Sequence, residues 1–330
     1  MKTPIRLLKT LLGLTVLLCG LVNAATYSYD ALGRVTAIQY ENGTQVTYQY
    51  DAMGNRTEVA VVQGDEEPEE EVFVSIITIR SAKGRPAINL RSLANKNGYD
   101  GTKKARITFV VLASYMVRGS EGTASFPNGG VAIDTGTWPK SLKHELTLRV
   151  WGKVYGGGGA GADAVFGTSL LGGGKGGTAI VMRSDLDVII ESRGEVKAGG
   201  GGGGSGAGTN SNNVPPLSNP WYNAHGGGGG GGGFPNGKGG DASTVNLATS
   251  GGDGTISGGG QGGKALKTGR QPTPYGRGGN GGGAGQAGAR GQTSWDGRTG
   301  GAGGAPGAAL VSNGNNYTLT NRGVLVGARR

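Results

Sequence analysis

The sequence predicts a mainly β chain that ends in a glycine-rich bundle of polyglycine II helices, with little or no α-helix after an N-terminal signal peptide. Three observations predict it. Glycine is concentrated: of 73 glycines in 330 residues, 15 lie up to Tyr155 and 58 follow it. The residues before that boundary alternate β-branched and aromatic side chains with polar ones, the pattern of half-buried strands. The glycine runs after it are closed repeatedly by apolar residues, which a solvated linker has no need to place. Collagen is excluded, because glycine does not recur at every third position and the chain has only 12 prolines.

Residues 1–24, "MKTPIRLLKTLLGLTVLLCGLVNA", have a basic start, an apolar stretch from Leu11 to Val22 and small residues before Ala25. This is the layout of a cleaved secretory signal. The stretch is shorter than the roughly 20 residues of a membrane span. Leu18 stands before Cys19 where a lipoprotein signal has a small residue, so lipidation is not expected. Cleavage removes the one cysteine, and with it disulfide and thiolate chemistry. It also removes Lys2, Arg6 and Lys9, taking the formal charge from +10 to about +7. From Gly199 onward ten Lys and Arg stand against three Asp, but they are dispersed, so no nucleic-acid partner is expected.

Residues 25–63 hold a short tandem repeat. Tyr29-Asp30-Ala31-Leu32-Gly33 returns 21 residues later as Tyr50-Asp51-Ala52-Met53-Gly54. Alternating Tyr, Val and Thr argue for strands, and the Asp-Ala-x-Gly segments for turns. The segment resembles the YD repeat of Rhs-type bacterial surface and toxin proteins. That family winds many repeats into a shell; two units enclose nothing, since each buries its apolar face against neighbours. Residues 64–71, "GDEEPEEE", are a self-repelling acidic linker, without the Gly-turned ligand spacing of a calcium loop. Residues 72–155 read as a small β-rich domain: "VFVSIITIR", "ARITFVVLASYMV", "GVAIDTG" and "HELTLRVWGKVY" are its strands, with Leu146, Leu148 and Val150 facing in and Thr147 and Arg149 facing out.

Residues 156–330 form the glycine-rich domain. "GGKGGTAI" (173–180), "GGQGGKAL" (259–266) and "GGAPGAAL" (303–310) share one form, and "GKGGDAS" is a partial copy from Gly237; Ile180, Leu266 and Leu310 are read as pins at the ends of the runs. An extended glycine chain adopts a left-handed three-fold helix with no internal hydrogen bonds, so every N–H and C=O needs a partner outside its own run. Ordering glycine costs more entropy than ordering any other residue. Only a cooperative bundle offsets that, and the runs at 156–161, 172–177, 199–208, 226–233, 251–263, 276–291 and 297–307 are numerous enough to build one.

"LDVIIESRGEVKAGGGGGG", the Gly-Gly-x-Gly-Gly-x-Ala units and the ending "GGAPGAALVSNGNNYTLTNRGVLVGARR" together carry a second resemblance. Residues 165–330 resemble the receptor-recognising adhesin at the tip of T-even-type phage long tail fibres. The resemblance implies a sandwich of polyglycine II helices whose connecting loops touch the host receptor. It also departs from that family, whose members carry neither a secretory signal nor a YD repeat. The implied loops here are 209–225, 264–275 and 292–298. Their candidate contact residues are Asn219, Trp221, Tyr222, His225, Arg270, Tyr275, Arg277, Trp295 and Arg298. Aromatic and Arg side chains anchor interfaces; the alternative is that the rings lie on the side-chain-free bundle and the Arg residues only keep it soluble. Phe234 and Tyr317 are assigned to packing.

No enzyme is expected, and no cofactor or metal. "GGGKGGT" is not a P-loop, because Gly176 follows Lys175 where Ser or Thr is required. His144 beside Glu145 reads as an exposed or satisfied strand side chain. The expected function is that of a secreted or cell-surface adhesin whose partner is an outer-membrane protein or a glycan, with a fibre or surface protein bound through 72–155. The alternatives are a structural or surface protein derived from an Rhs system, and a prophage fibre end fused behind a signal without retained binding. A flat ice-binding face is excluded by the lack of regular Thr spacing.

Overall fold

The computed structural model describes residues 25–64, 71–80, 82–84, 86–164, 171–208, 232–242, 248–264, 276–294 and 297–330. The signal peptide expected at 1–24 lies outside them, as does most of the acidic linker. The chain divides into two compact units, one ending at Glu70 and one spanning Glu71–Arg330.

The first unit is an antiparallel meander of β1 (Thr26–Tyr29), β2 (Val35–Gln39), β3 (Gln45–Tyr50) and β4 (Arg56–Val62), in that order. The repeated aspartate builds the repeated turn. Asp30 Oδ1 accepts the backbone N–H groups of Leu32 and Arg34 at 3.0 and 2.9 Å, and its Oδ2 accepts Arg34 Nε at 2.7 Å. Asp51 accepts Met53 and Asn55 N–H at 2.9 and 2.8 Å and Asn55 Nδ2 at 3.0 Å. Gly33 and Gly54 complete the turns at φ +77° and +89°, where a Cβ is disfavoured. These donors hold both carboxyls below their usual pKa, chiefly the Arg34 backbone N–H for Asp30 and the Asn55 side chain for Asp51.

The second unit is a three-sided parallel β-solenoid. Its first turn is β5 (Val72–Thr78), β6 (Ala82–Gly84) and β7 (Ile88–Asn89); its second is β8 (Lys104–Val111), β9 (Met116–Gly119) and β10 (Ile133–Asp134). The third is β11 (Glu145–Val150), β12 (Lys153–Tyr155) and β13 (Ile180–Val181). β14 (Leu186–Ile190), β15 (Glu195–Lys197) and β16 (Ala308–Val311) make the fourth, and β17 (Tyr317–Asn321), β18 (Val324–Val326) and β19 (Ala328–Arg329) the fifth. Each strand pairs in parallel with its counterparts one turn away, giving three five-stranded sheets.

In-register stacking fills the interior. Ile77, Phe109, Leu148, Val188 and Leu319 stand opposite one another across the first sheet. Ala82, Val117, Val154, Val196 and Leu325 do so in the second, and Ile88, Ile133, Ile180 and Leu310 in the third. Each fully buried aliphatic or aromatic side chain contributes about 1.5–3 kcal/mol. The strand alternation expected at 146–150 holds: Leu146, Leu148 and Val150 are buried, Thr147 and Arg149 are not. One short helix, α1 (Leu90–Lys96), packs Leu90 and Ala94 into the core, and Asn89 Oδ1 caps it by accepting Ser92 N–H at 2.9 Å.

The boundary expected between 155 and 156 does not separate two compact units. Ile180 and Leu310, expected to pin glycine runs, are solenoid residues paired in β13 and β16. The C-terminal ending forms β16–β19 rather than bundle. The glycine-rich residues are insertions at one corner, where the second sheet passes to the third: 120–132, 156–179 and 198–307. Re-entry has one signature. Ala132, Ala179 and Ala309 are buried just before Ile133, Ile180 and Leu310.

Within the insertions, successive residues donate to different neighbours, and the same neighbour returns every third residue. Gly156, Gly159 and Ala162 donate to Lys197, Gly200 and Gly203; Gly158, Gly161 and Ala164 to Pro235, Lys238 and Asp241; Gly157 and Ala160 to Gly130 and Pro127, all at 2.7–3.0 Å. The run 199–207 is buried throughout. It is hydrogen-bonded to six neighbouring stretches, around 159–162, 171–177, Phe234, 279–282, 286–292 and 301–307. An added Cβ at Gly202 would lie under 3.0 Å from the Ala160 backbone, whereas at Gly258 it would meet open space. Gly202→Val is therefore expected to cost at least about 2 kcal/mol, and Gly258→Ala to stay within about 0.5 kcal/mol of wild type. Thermal unfolding of the two variants checks the contrast; equal midpoints would mean that the run is not tightly packed.

Candidate functional site

The runs travel away from the solenoid and return, so the bundle has a near end and a far end. At the near end Phe234 packs its ring on Tyr155, centroids 5.4 Å apart, and both are buried. Tyr155 donates its hydroxyl to Glu195 Oε2 at 2.5 Å, and its pKa is pushed up, first by burial and then by that carboxylate. The packing role expected for Phe234 is what the structure shows. Tyr317 is partly buried against the core.

The expected contact loops leave the described structure at the far end. Ala207, which leads to 209–225, donates to Gln292 O at 3.0 Å; Gly276, which follows 264–275, donates to Thr293 O at 3.1 Å; and Gln292 N–H donates to Arg277 O at 2.8 Å. One short chain of hydrogen bonds thus joins the stems of all three loops. The third stem is closed by Ser294, whose N–H donates to Arg298 O at 2.9 Å and whose Oγ accepts Arg298 N–H at 3.1 Å. Gly297 follows at φ +83°. The second stem is clamped by Thr249, which exchanges bonds with Lys264: its N–H donates to Lys264 O and its Oγ1 accepts Lys264 N–H, both at 2.8 Å. Of the candidate residues, Arg277 and Arg298 are described, both half-buried at this end. Asn219, Trp221, Tyr222, His225, Arg270, Tyr275 and Trp295 lie outside the described residues.

Sequence reasoning did not single out the turn at 123–126. Thr123 and Phe126 exchange backbone bonds there, and the Phe126 ring is 59% exposed. Its signal was the spacing of Gly119, Gly122 and Gly129-Gly130 around "SEGTASFPN", too sparse to stand out beside the long runs. Two further stretches, 165–170 and 243–247, are also flanked by far-end residues: Ala164 donates to Asp241 O, and Ala242 N–H to Ser250 Oγ.

A concave feature lies at another corner, where the third sheet passes to the first. It is a cavity of about 300 Å³ whose lining includes Trp138, Lys140, Lys143, His144, Asp185 and Asn316. The Trp138 indole donates to Thr135 O at 2.8 Å and stacks on Tyr99, with ring centroids 5.2 Å apart. His144 packs against both rings, and its Nδ1 accepts Ala105 N–H at 3.1 Å. Its Nε2 is buried without a hydrogen-bond partner among the described residues. Beside it, Glu145 is held down to about 2 by hydrogen bonds from Arg106 and Lys104. Among the described residues no cluster of His, Cys, Asp or Glu could hold a metal ion, and no helix is long and apolar enough to cross a membrane.

The sequence model of the family described as phage tail fibre adhesin Gp38 matches residues 74–330, well over half of the chain. The chain belongs to that family. The whole solenoid from Val74 onward, with its glycine-rich insertions, is thus the Gp38-type adhesin region. A model of the RHS repeat matches residues 29–66, over the meander. Among solved structures, a chain of the gp37–gp38 adhesin tip complex of the bacteriophage S16 long tail fibre is similar at 23% identity and a TM-score of 0.45, covering 79% of this chain and 82% of that one. Comparison with curated proteins finds no match.

In this Gp38-family chain His144 is a structural residue with a measurable consequence. Its pKa is held below the usual 6.5, chiefly by burial; Arg91 and Lys104 push the same way and the Pro139 backbone opposes. Below about pH 6.5 the unfolded chain therefore binds more protons at this site than the folded one, and stability falls as pH drops from 7 to 5. His144→Asn keeps an acceptor for Ala105 N–H and cannot titrate in this range. Thermal melts from pH 7 to 5 are expected to show a flatter decline for the variant; an unchanged slope would remove His144 as the cause.

Proposed function

We propose that this chain is an exported adhesin in which the glycine runs are packed polyglycine II helices and the far-end loops recognise a receptor. The observation that carries the reading is the convergence of Ala207, Gly276, Arg277, Gln292, Thr293, Ser294 and Arg298 into one hydrogen-bonded patch. The stems of three loops separated in sequence are thereby joined. The return of each neighbour every third residue supports the three-fold conformation of polyglycine II. Residues 1–24 direct export, and 209–225, 264–275 and 292–298 make the contact.

The receptor in this reading is a surface glycan or an exposed loop of an outer-membrane protein. Trp221, Tyr222, Tyr275 and Trp295 supply flat rings for stacking, Asn219 and His225 supply polar contacts, and Arg270, Arg277 and Arg298 pair with carboxylate or phosphate. A fibre or surface protein binds through residues 72–155. The RHS repeat ahead of the adhesin region favours one alternative, a surface protein from an Rhs-type system in which binding has been lost.

Capture of outer-membrane components by the full chain separates the two. Trp221→Ala with Trp295→Ala is expected to lower retention at least tenfold, with unfolding temperature unchanged. Retention that survives the loss of both rings would refute the loop assignment, and no retention by wild type would favour the alternative. Hydrogen exchange tests the scaffold separately. Amides of 199–207 are expected to open only with global unfolding, and exchange at free-peptide rates would remove the bundle.

A further inference from the structure

The RHS-repeat unit is an unfinished sheet. None of its residues from 25 to 64 is buried, and β1 and β4, its two edges, are exposed along their whole length. Tyr27, Ile38, Val46 and Val61 stand in one row across the sheet, and Tyr48 and Val59 pair beside them. Tyr27, Val59 and Val61 remain 51%, 48% and 59% exposed. A sheet whose apolar face is uncovered and whose two edges are unpaired among the described residues is marginal by itself.

The repeat supplies the missing partner. Thr26-Tyr27-Ser28-Tyr29 of β1 recurs as Thr47-Tyr48-Gln49-Tyr50 in β3, so β1 is the equivalent of β3, and β2 of β4. β3 already sits antiparallel on β2, with Ala37 opposite Thr47 and Ile38 opposite Val46. The free edge of β4 therefore offers what β2 offers to β3, and the free edge of β1 offers what β3 offers to β2. Both halves of this junction are present on every copy of the chain.

We infer that the unit binds a second copy of this chain, β1 of one copy adding antiparallel to β4 of the other. In the register of the existing junction, Glu58 of one copy faces Thr26 of the other. Packing the two apolar faces together is the weaker arrangement. Four strands about 4.8 Å apart present a face of only a few hundred Å², below the roughly 800 Å² per partner of a stable interface. Strand addition gains its hold from main-chain hydrogen bonds instead. It is also an unclosed contact, since each added copy leaves one free edge of each kind.

Sedimentation of the full chain over a concentration series tests this. Wild type is expected to self-associate with rising concentration. Thr26→Glu sets a carboxylate opposite Glu58 and is expected to weaken association about two- to fivefold. Adding Glu58→Lys to that variant is expected to restore it, and circular dichroism checks that each variant folds. A monomer at every concentration overturns the inference, even if it binds a separate YD-repeat polypeptide. So does association that ignores both charge changes but is lost on Tyr27→Ser with Val61→Ser.

Discussion

Backbone amides and carbonyls in the run 199–207 have only other backbone to bond with, because the run is buried and carries almost no side chains. An unpaired amide or carbonyl in a dry interior costs more than any single packing contact gains. The runs must therefore lie close enough for each N–H to reach a carbonyl on a different run, and that spacing leaves no room for a Cβ at Gly201, Gly202, Gly203 or Gly204. Close approach and glycine thus require each other. The few alanines inside, such as Ala160 and Ala207, are nearly fully buried, so even a methyl group is admitted only at chosen positions.

Such a bundle needs a rigid start, since ordering a glycine costs more entropy than ordering any other residue. The solenoid provides it. Strand register is pinned by stacked Ile, Leu and Val, so Tyr155 stands opposite Lys197 where two runs leave the second sheet, and Ile180 opposite Leu310 where they rejoin the third. Placing every insertion at one corner makes the runs neighbours before they begin. This is why 120–132, so short a detour, can still pair with 156–160 through Gly130 and Pro127.

The strands of 72–155, the alternation at 146–150 and the Asp turns of the repeat were legible because each depends on local chemistry. The parallel solenoid was not. Alternating strands ordinarily point to antiparallel sheets with one wet face. A solenoid shows the same alternation because its interior lies on one side only. The recurring Gly-x-Ala-aliphatic signature is local, but its partner is not: Ile180 and Leu310 close glycine runs in sequence, yet in space they belong to the sheet that contains Ile88 and Ile133. Pairing across insertions of such length leaves no local trace. The convergence of the loop stems at Ala207, Gly276 and Gln292 was invisible for the same reason, since it depends on which run lies beside which.

The rigidity of the scaffold bears on what its far end can do. A loop on a flexible base loses freedom throughout its stem on binding, and the loss subtracts from affinity. Here the stems are already fixed by Ser294 against Arg298, Thr249 against Lys264 and Ala207 against Gln292. Each stem carries a backbone-to-backbone bond that any residue could make, and the side-chain oxygens of Ser294 and Thr249 add to two of them. Loop positions other than stem residues such as Ser294 can then vary without loosening the block beneath them. If the loops recognise a receptor as proposed, that separation lets contact positions between the stems change while the stems keep main-chain bonds that every residue can make.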